Sequence, residues 1–247
     1  MLLDLQGYEG TILTGAWITL QVALLSLLLA VVLGMMGALA KLSSIAFFRW
    51  WATLYTTVIR GIPDLILMML IFFGGQIFIN EFNVTINDWL NEYFSGQNPQ
   101  HEWTSYLPDY VDVSPFFAGV ATIGFIFGAY MAETFRGAII AVDKGQLEAA
   151  RAYGMSSMMV FRRVMFPQMM RHALPGFGNN WLVLLKTTAL VSIIGLEDMV
   201  KAAGDAGGST QMPFTFYFVV ALIFLVFTAI STSLLNLAEK KYAIVSR

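Results

Sequence analysis

The sequence predicts an all-α integral membrane protein with its N-terminus outside, its C-terminus in the cytoplasm and about five transmembrane helices. Three observations predict it. Apolar residues make up 57% of the chain and charged residues 12%, against roughly 45–50% and 25% in soluble domains, and mean hydropathy is strongly positive. The apolar residues gather in runs of about 20 or more, the length that crosses a bilayer. Lys and Arg gather in alternate loops, as expected where basic loops stay in the cytoplasm. At 247 residues there is no room for a further soluble catalytic domain, so residues 1–247 are read as a single membrane domain. Zero cysteines exclude disulfides and thiolate sites, and two isolated histidines argue against a structural metal site. The net charge of −2 says little, and no basic patch points to nucleic acid.

Taken in order, residues through Thr14 contain Asp4 and Glu9 but no Lys or Arg, so they lack the basic start of a signal peptide and no cleavage is expected. The first span runs from Trp17 to about Leu39, and Lys41 and Arg49 place its far end in the cytoplasm. The second is read from Trp50 to about Ile79, with Arg60, Gly61, Pro63 and Asp64 in its first half, a bent helix facing protein rather than lipid. From Asn80 to Pro115 the chain is acidic, with Glu81, Asp88, Glu92, Glu102, Asp109 and Asp112 and no Lys or Arg. That loop belongs outside. Its Trp89, Tyr93, Trp103, Tyr106 and Tyr110 suit an interfacial helix or an aromatic belt, and Gln97 to Gln100 reads as a turn. His101-Glu102 lacks the second histidine of a zinc-protease motif and is read as surface. The third span, Phe116 to about Val142, carries Glu133 and Arg136; the fourth is read from Pro175 and Gly176 to about Met199; the fifth runs from Phe214 to Leu237. A short glycine-rich outer turn, Lys201 to Gln211, precedes the fifth, and Lys240, Lys241 and Arg247 hold the C-terminus inside. Only Lys201 breaks the charge rule. Gly178 to Asn180 and Gly195 to Asp198 mark the fourth span as broken or short.

The stretch EAARAYGMSSMMVFRRVMFP, Glu148 to Pro167, lies between two apolar runs yet carries Arg151, Arg162 and Arg163. It cannot cross a bilayer and is a water-side loop. Helix formers run to Tyr153, Gly154 interrupts, and a second amphipathic turn with Met158, Val160, Phe161, Val164 and Met165 on its apolar side follows until Pro167, which is expected to stop it. Two short helices with a glycine bend form a knob that a partner can grip. The order Glu-Ala-Ala, Gly and a terminal apolar-x-apolar-Pro resembles the cytoplasmic coupling loop of permease subunits in ATP-binding-cassette importers.

The resemblance extends over nearly the whole chain. Arg60-Gly61-Ile62-Pro63, Glu133-Thr134-Phe135-Arg136-Gly137, and Lys186-Thr187-Thr188-Ala189-Leu190 before Gly195-Leu196-Glu197-Asp198 are similar to stretches of the polar-amino-acid importers, above all the Q-type subunit of histidine or arginine/ornithine systems. The resemblance implies a type I importer transmembrane domain in a bacterial inner membrane. It implies a coupling loop at about 143–172, in which Glu148, Ala149, Ala150, Gly154, Arg162, Arg163 and Pro167 meet an ATPase dimer. The further partners implied are a second permease subunit, an M-type paralogue, and a periplasmic amino-acid-binding protein, besides membrane lipid. No cofactor is expected on this chain; ATP and Mg would be bound by the partner ATPase. Two departures stand out. Many relatives have an apolar residue where this chain has Asp64, and the outer loop from Asn80 to Pro115 is long. An acid at position 64 would favour a cationic substrate.

Ionisable groups in a membrane cost at least about 2.5–3.5 kcal/mol each on insertion scales, so each needs a partner or a purpose. Here they are Arg60, Asp64, Glu133, Arg136 and Lys186, which with Thr187, Thr188 and Ser192 are the residues expected to line a substrate pathway. Arg60 with Asp64 and Glu133 with Arg136 have the spacing of ion pairs on one helix face. Counted along an unbroken helix from Trp50, Asp64 falls near mid-membrane. Two readings of Asp64 stand, as a structural partner of Arg60 or as the seat of a cationic guest. Lys186, with Thr187, Thr188 and Ser192 at helical spacings, either meets a substrate carboxylate or pairs with Glu133 to lock two helices. Gly34 with Gly37 and Gly124 with Gly128 read as close-packing positions.

A membrane enzyme would need a nucleophile and base or a metal cluster, and neither Ser/His/Asp nor His/Asp groupings occur at suitable spacing. The phosphate cradle Gly-x4-Gly-Lys-Ser/Thr is absent too, so the motor must be borrowed. Five spans without an internal repeat fit a half-transporter better than an ion-coupled carrier. The expected function is a permease subunit for histidine, arginine, lysine or ornithine, with a permease of another amino-acid specificity as the alternative.

Overall fold

The computed structural model describes residues 5–97, 104–108 and 110–242. Asp4, the 97–100 turn beyond Gln97, His101-Glu102, Trp103, Asp109 and Arg247 lie outside the described residues. The described secondary structure is helical throughout, with five helices or helical rods long and apolar enough to span a membrane.

Helix α1 (Glu9–Lys41) begins before Thr14, further out than expected, and packs along α4 (Pro115–Ile140). The two run parallel. Ser26 Oγ donates to Val120 O, and beyond that point Gly34 lies against Met131 and Gly37 against Ala132. A Cβ on Gly34 would stand 2.4 Å from Met131 Cβ, and one on Gly124 would stand 2.6 Å from Leu29 Cδ2. Helix association in lipid rests on close van der Waals packing rather than on hydrophobic expulsion, and these glycines supply it. Ala23, Ala30, Ala38, Ala129 and Ala132 continue the small-residue seam, all fully or nearly fully buried.

The expected second span is two helices. Helix α2 (Ala46–Gly61) has 16 residues, about 24 Å, too short for a 30 Å hydrocarbon core. Its chain breaks at Ile62, whose extended backbone (φ −112°, ψ 139°) precedes Pro63, because the proline ring bars its predecessor from the helical region. Helix α3 (Asp64–Gln97) then crosses. It does not end near Ile79 as expected but continues from Glu81 to Gln97, roughly 25 Å further at about 1.5 Å per residue.

A row of amides explains this extension. Gln76, Asn80, Asn83, Asn87 and Asn91 recur at steps of three or four on α3, on one helical face, and bind the backbone that returns toward α4. Gln76 Oε1 accepts from Val113 N (2.9 Å), Asn80 Oδ1 from Val111 N (2.8 Å), Asn87 Oδ1 from Tyr106 and Leu107 N, and Asn91 Oδ1 from Thr104 N (3.0 Å). Their NH₂ groups donate to the carbonyls of Val111, Pro108, Leu107 and Thr104. Each amide thus replaces a strand partner for an irregular segment whose backbone groups need satisfying.

The cytoplasmic segment holds α5 (Lys144–Ala152) and α6 (Ser157–Val160); a π-helical turn, Phe161–Met165, joins α6 to α7 (Phe166–Thr187), which a 3₁₀ turn, Thr188–Ile194, extends. Pro167 therefore does not stop a helix. It follows directly on the π-helical turn, and the chain stays helical into it, with Met165 at φ −69° and ψ −53°. The fourth span is a continuous rod from Ser157 to Ile194, with Pro175 and Gly178 inside it. Gly178 faces Leu235 of α9 (Pro213–Tyr242). The expected glycine-rich turn is a helix, α8 (Met199–Thr210), and Lys201 is matched there by Asp205 at 2.8 Å.

Candidate functional site

The break between α2 and α3 sets the inner polar site. Because the helix stops at Gly61, Arg60 and Asp64 do not share a face, and no ion pair joins them. Tyr130 of α4 stands between them: Arg60 lies over its ring at 5.7 Å from the centroid, and its hydroxyl donates to Asp64 Oδ1 at 3.5 Å. Asp64 is the first residue of α3, half-buried, rather than mid-helix. Its contact with Tyr130 still places it roughly 15 Å along α4 from that helix's cytoplasmic end.

About one helical turn nearer the end of α4, Glu133 holds two cations. Arg136 Nε lies 3.0 Å from Oε2, as its spacing predicted, and Lys41 Nζ, from the last turn of α1, bonds Oε1. Lys41 also donates to Thr56 Oγ1 of α2 at 2.7 Å, so the Lys41–Glu133 pair ties α1, α2 and α4. The expected alternative, Glu133 with Lys186, is not formed. Sequence reasoning used Lys41 only as a marker of topology and missed Tyr130; the signal for Lys41 was its place at the end of the small-residue seam.

Lys186, in the last turn of α7, is exposed and has no ion pair among the described residues. Its neighbours are engaged locally: Thr187 donates to Val183 O, Thr188 to Leu185 O and Ser192 to Ala189 O. Thr188 is fully buried and Thr187 nearly so. Their hydroxyl hydrogens are committed to their own helical segments.

In the cytoplasmic knob, Asp143 caps α5 through Gly145 N (2.7 Å) and Ser156 caps α6 through Met159 N. Between them Gly154 takes φ +77°. Its N–H bonds Arg151 O and that of Met155 bonds Ala150 O, a Schellman closure that needs a left-handed residue at this point. Ala150 and Val160 are buried beneath, while Glu148, Ala149, Arg162 and Arg163 face solvent beside exposed Tyr153, Met158 and Phe161. The knob is thus a preformed bend with an apolar and cationic outer surface.

On the outer side, α1 and α8 enclose a cleft of about 590 Å³ lined in part by Tyr8, Thr14, Glu197, Lys201 and Asp205. Below it Asp198 caps α8 through Lys201 N at 2.9 Å, while its Oδ2 is buried without a hydrogen bond. Burial pushes Asp198 up to about 6, opposed in part by the backbone amides of Lys201 and Val200. Between about pH 4 and pH 6 the folded chain holds a proton that the unfolded chain has released, so stability falls as pH rises through that window. Asp198→Asn keeps the cap and removes the charge. It is expected to stabilise the protein by on the order of 2 kcal/mol above about pH 7 and to leave it unchanged near pH 4, read by thermal unfolding at both values.

Comparisons with known proteins converge. The model of the family described as "Binding-protein-dependent transport system inner membrane component" matches residues 30–244. The chain is 50% identical over 240 residues to the histidine/lysine/arginine/ornithine transport system permease protein HisQ of Salmonella typhimurium, covering 97% of this chain and 96% of the relative. It is 38% identical to the octopine transport system permease protein OccQ of Rhizobium radiobacter, covering 95% and 91%. Among solved structures, the crystal structure of an amino acid ABC transporter with histidines superposes with a TM-score of 0.75 at 32% identity, covering 98% of each chain.

Proposed function

The chain belongs to the family of binding-protein-dependent transport system inner membrane components, and from that premise we propose that it is the Q-type permease subunit of an ATP-driven importer of basic amino acids. It is a multi-pass inner-membrane protein, and ATP and Mg are handled by a separate ATPase. The knob from Asp143 to Pro167 docks that ATPase, with Gly154 setting its bend and Glu148, Ala149, Ala150, Arg162 and Arg163 at or beneath its surface. A second permease subunit, an M-type paralogue, completes the pathway, and a periplasmic binding protein delivers substrate to the outer face.

The observation that carries the basic-amino-acid reading is Asp64, a half-buried carboxylate in a membrane-crossing helix, held by Tyr130 and without an ion pair among the described residues. A charge so placed is costly unless a cation joins it. The side-chain cation of arginine, lysine, ornithine or protonated histidine supplies one, and the exposed Lys186 of α7 supplies the opposite sign for a substrate carboxylate. Glu133, neutralised by Lys41 and Arg136, is a brace beside the pathway rather than a binding group.

Asp64→Asn keeps the Tyr130 contact and removes the charge. The complex is expected to assemble normally while transport of arginine or lysine falls about tenfold more than that of a neutral analogue delivered by the same binding protein, a difference of about 1.4 kcal/mol. The measurement is uptake into proteoliposomes normalised to assembled complex. Equal losses for both substrates, together with poor assembly, would show Asp64 to be structural.

A further inference from the structure

A pocket of about 350 Å³ opens where the start of α5, the start of α7 and the end of α9 meet, lined by Gln146, Pro167, Gln168, Arg171, His172 and Tyr242. A hydrogen bond from Gln168 Nε2 to Gln146 Oε1 at 2.5 Å braces its wall. Arg171 and His172 are exposed, and neither has an ion pair or hydrogen bond to any described residue. Lys240 and Lys241 stand in the last turn of α9, immediately before Tyr242.

The level of this pocket matters as much as its charge. The apolar run of α9 ends at Leu237 and Ala238, and the exposed Leu234 and Leu237 mark where that helix meets hydrocarbon. Tyr242 stands about one helical turn beyond, the depth of phospholipid phosphates on the cytoplasmic side. Basic pockets between transmembrane helices at this depth suit anionic headgroups, and a guanidinium presents paired N–H donors that match phosphate oxygens.

We propose that this pocket binds the phosphate of an anionic phospholipid of the inner leaflet, with Arg171 as the principal anchor and His172 and Tyr242 as further donors. The acyl chains lie against the apolar face of α9. The lipid then seats beside the root of the cytoplasmic knob, bracing the first turn of α7 against α9. The inference does not depend on which amino acid is carried.

The test uses the complete complex with its ATPase, delipidated and placed in nanodiscs of phosphatidylcholine alone or mixed with phosphatidylglycerol. Native mass spectrometry then counts retained phosphatidylglycerol. Saturable retention by the wild type is expected, weakened roughly fivefold in Arg171→Gln, the share of one basic residue at a membrane surface. Tyr242→Phe, which removes one donor and little volume, is expected to weaken retention in the same direction and serves if Arg171→Gln does not assemble. Millimolar inorganic phosphate that displaces the lipid completely would reassign the pocket to free phosphate. Retention equal in wild type and both variants, or loss of the ATPase subunit from the variants with retention unchanged, would overturn the proposal, the latter in favour of a protein contact.

Discussion

Substitution of Gly154 by aspartate is expected to abolish the ATP hydrolysis stimulated by substrate-loaded binding protein while leaving the chain inserted in the membrane. Gly154 sits at φ +77° with open space around the position of a Cβ, so an added side chain meets no clash. The cost is conformational, about 1–2 kcal/mol for an L-residue in the left-handed region, and it falls on the Schellman closure that joins α5 to α6. Aspartate also places a negative charge on a surface whose nearby charges include Arg162 and Arg163. Gly154→Ala separates the two effects, since it carries the strain without the charge and should retain part of the stimulation. The measurements are ATPase activity in proteoliposomes and co-purification of the ATPase subunit. Survival of both in Gly154→Asp would remove the docking role from the knob.

The second large effect is expected at Glu133. Its carboxylate faces Lys41, whose side chain is only 12% exposed, and Arg136, which is 38% exposed. Glu133→Gln leaves both cations without a counter-charge; Arg136 can turn toward water, but Lys41 is enclosed. Breaking such a pair from one side costs about 3–5 kcal/mol, whereas replacing both members is often nearly neutral. Glu133→Gln should therefore lower the yield of assembled complex and its melting temperature, and Lys41→Met in the same chain should restore much of both. Transport lost with assembly intact, and not recovered by Lys41→Met, would instead place Glu133 on the substrate path.

The number and order of the spans were legible in the sequence because each is a long apolar run and each cytoplasmic end carries its Lys or Arg. The seam glycines were legible too, since pairs three or four residues apart in apolar helices have little use except close approach. The break at Ile62 was not. Apolar residues continue on both sides of it, so hydropathy reads one bent helix, and only the proline's effect on its predecessor separates α2 from α3. That misreading also produced the expected Arg60 and Asp64 pair, which needs an unbroken helix between them. Pro167 misled in the opposite sense, because a proline that looks like a terminator sits here within a helical rod, just after its π-helical turn. The second partner of Glu133 was hidden by distance along the chain, as Lys41 comes from the end of another helix. In the outer segment, aromatic residues drew attention while the recurrence of amides on α3 carried the structure.

The amide row determines where this protein can change length. One residue inserted between Gln76 and Asn91 would rotate every amide beyond it by about 100°, away from the returning backbone, and release the outer segment from that point on. Residues added between Gln97 and Thr104 leave all the amides in register with the groups they bind. The outer segment therefore has a part whose spacing is fixed by a helix, from Gln76 to Asn91. A reporter or epitope inserted between Gln97 and Thr104 should be tolerated where a single alanine inserted after Asn83 is not.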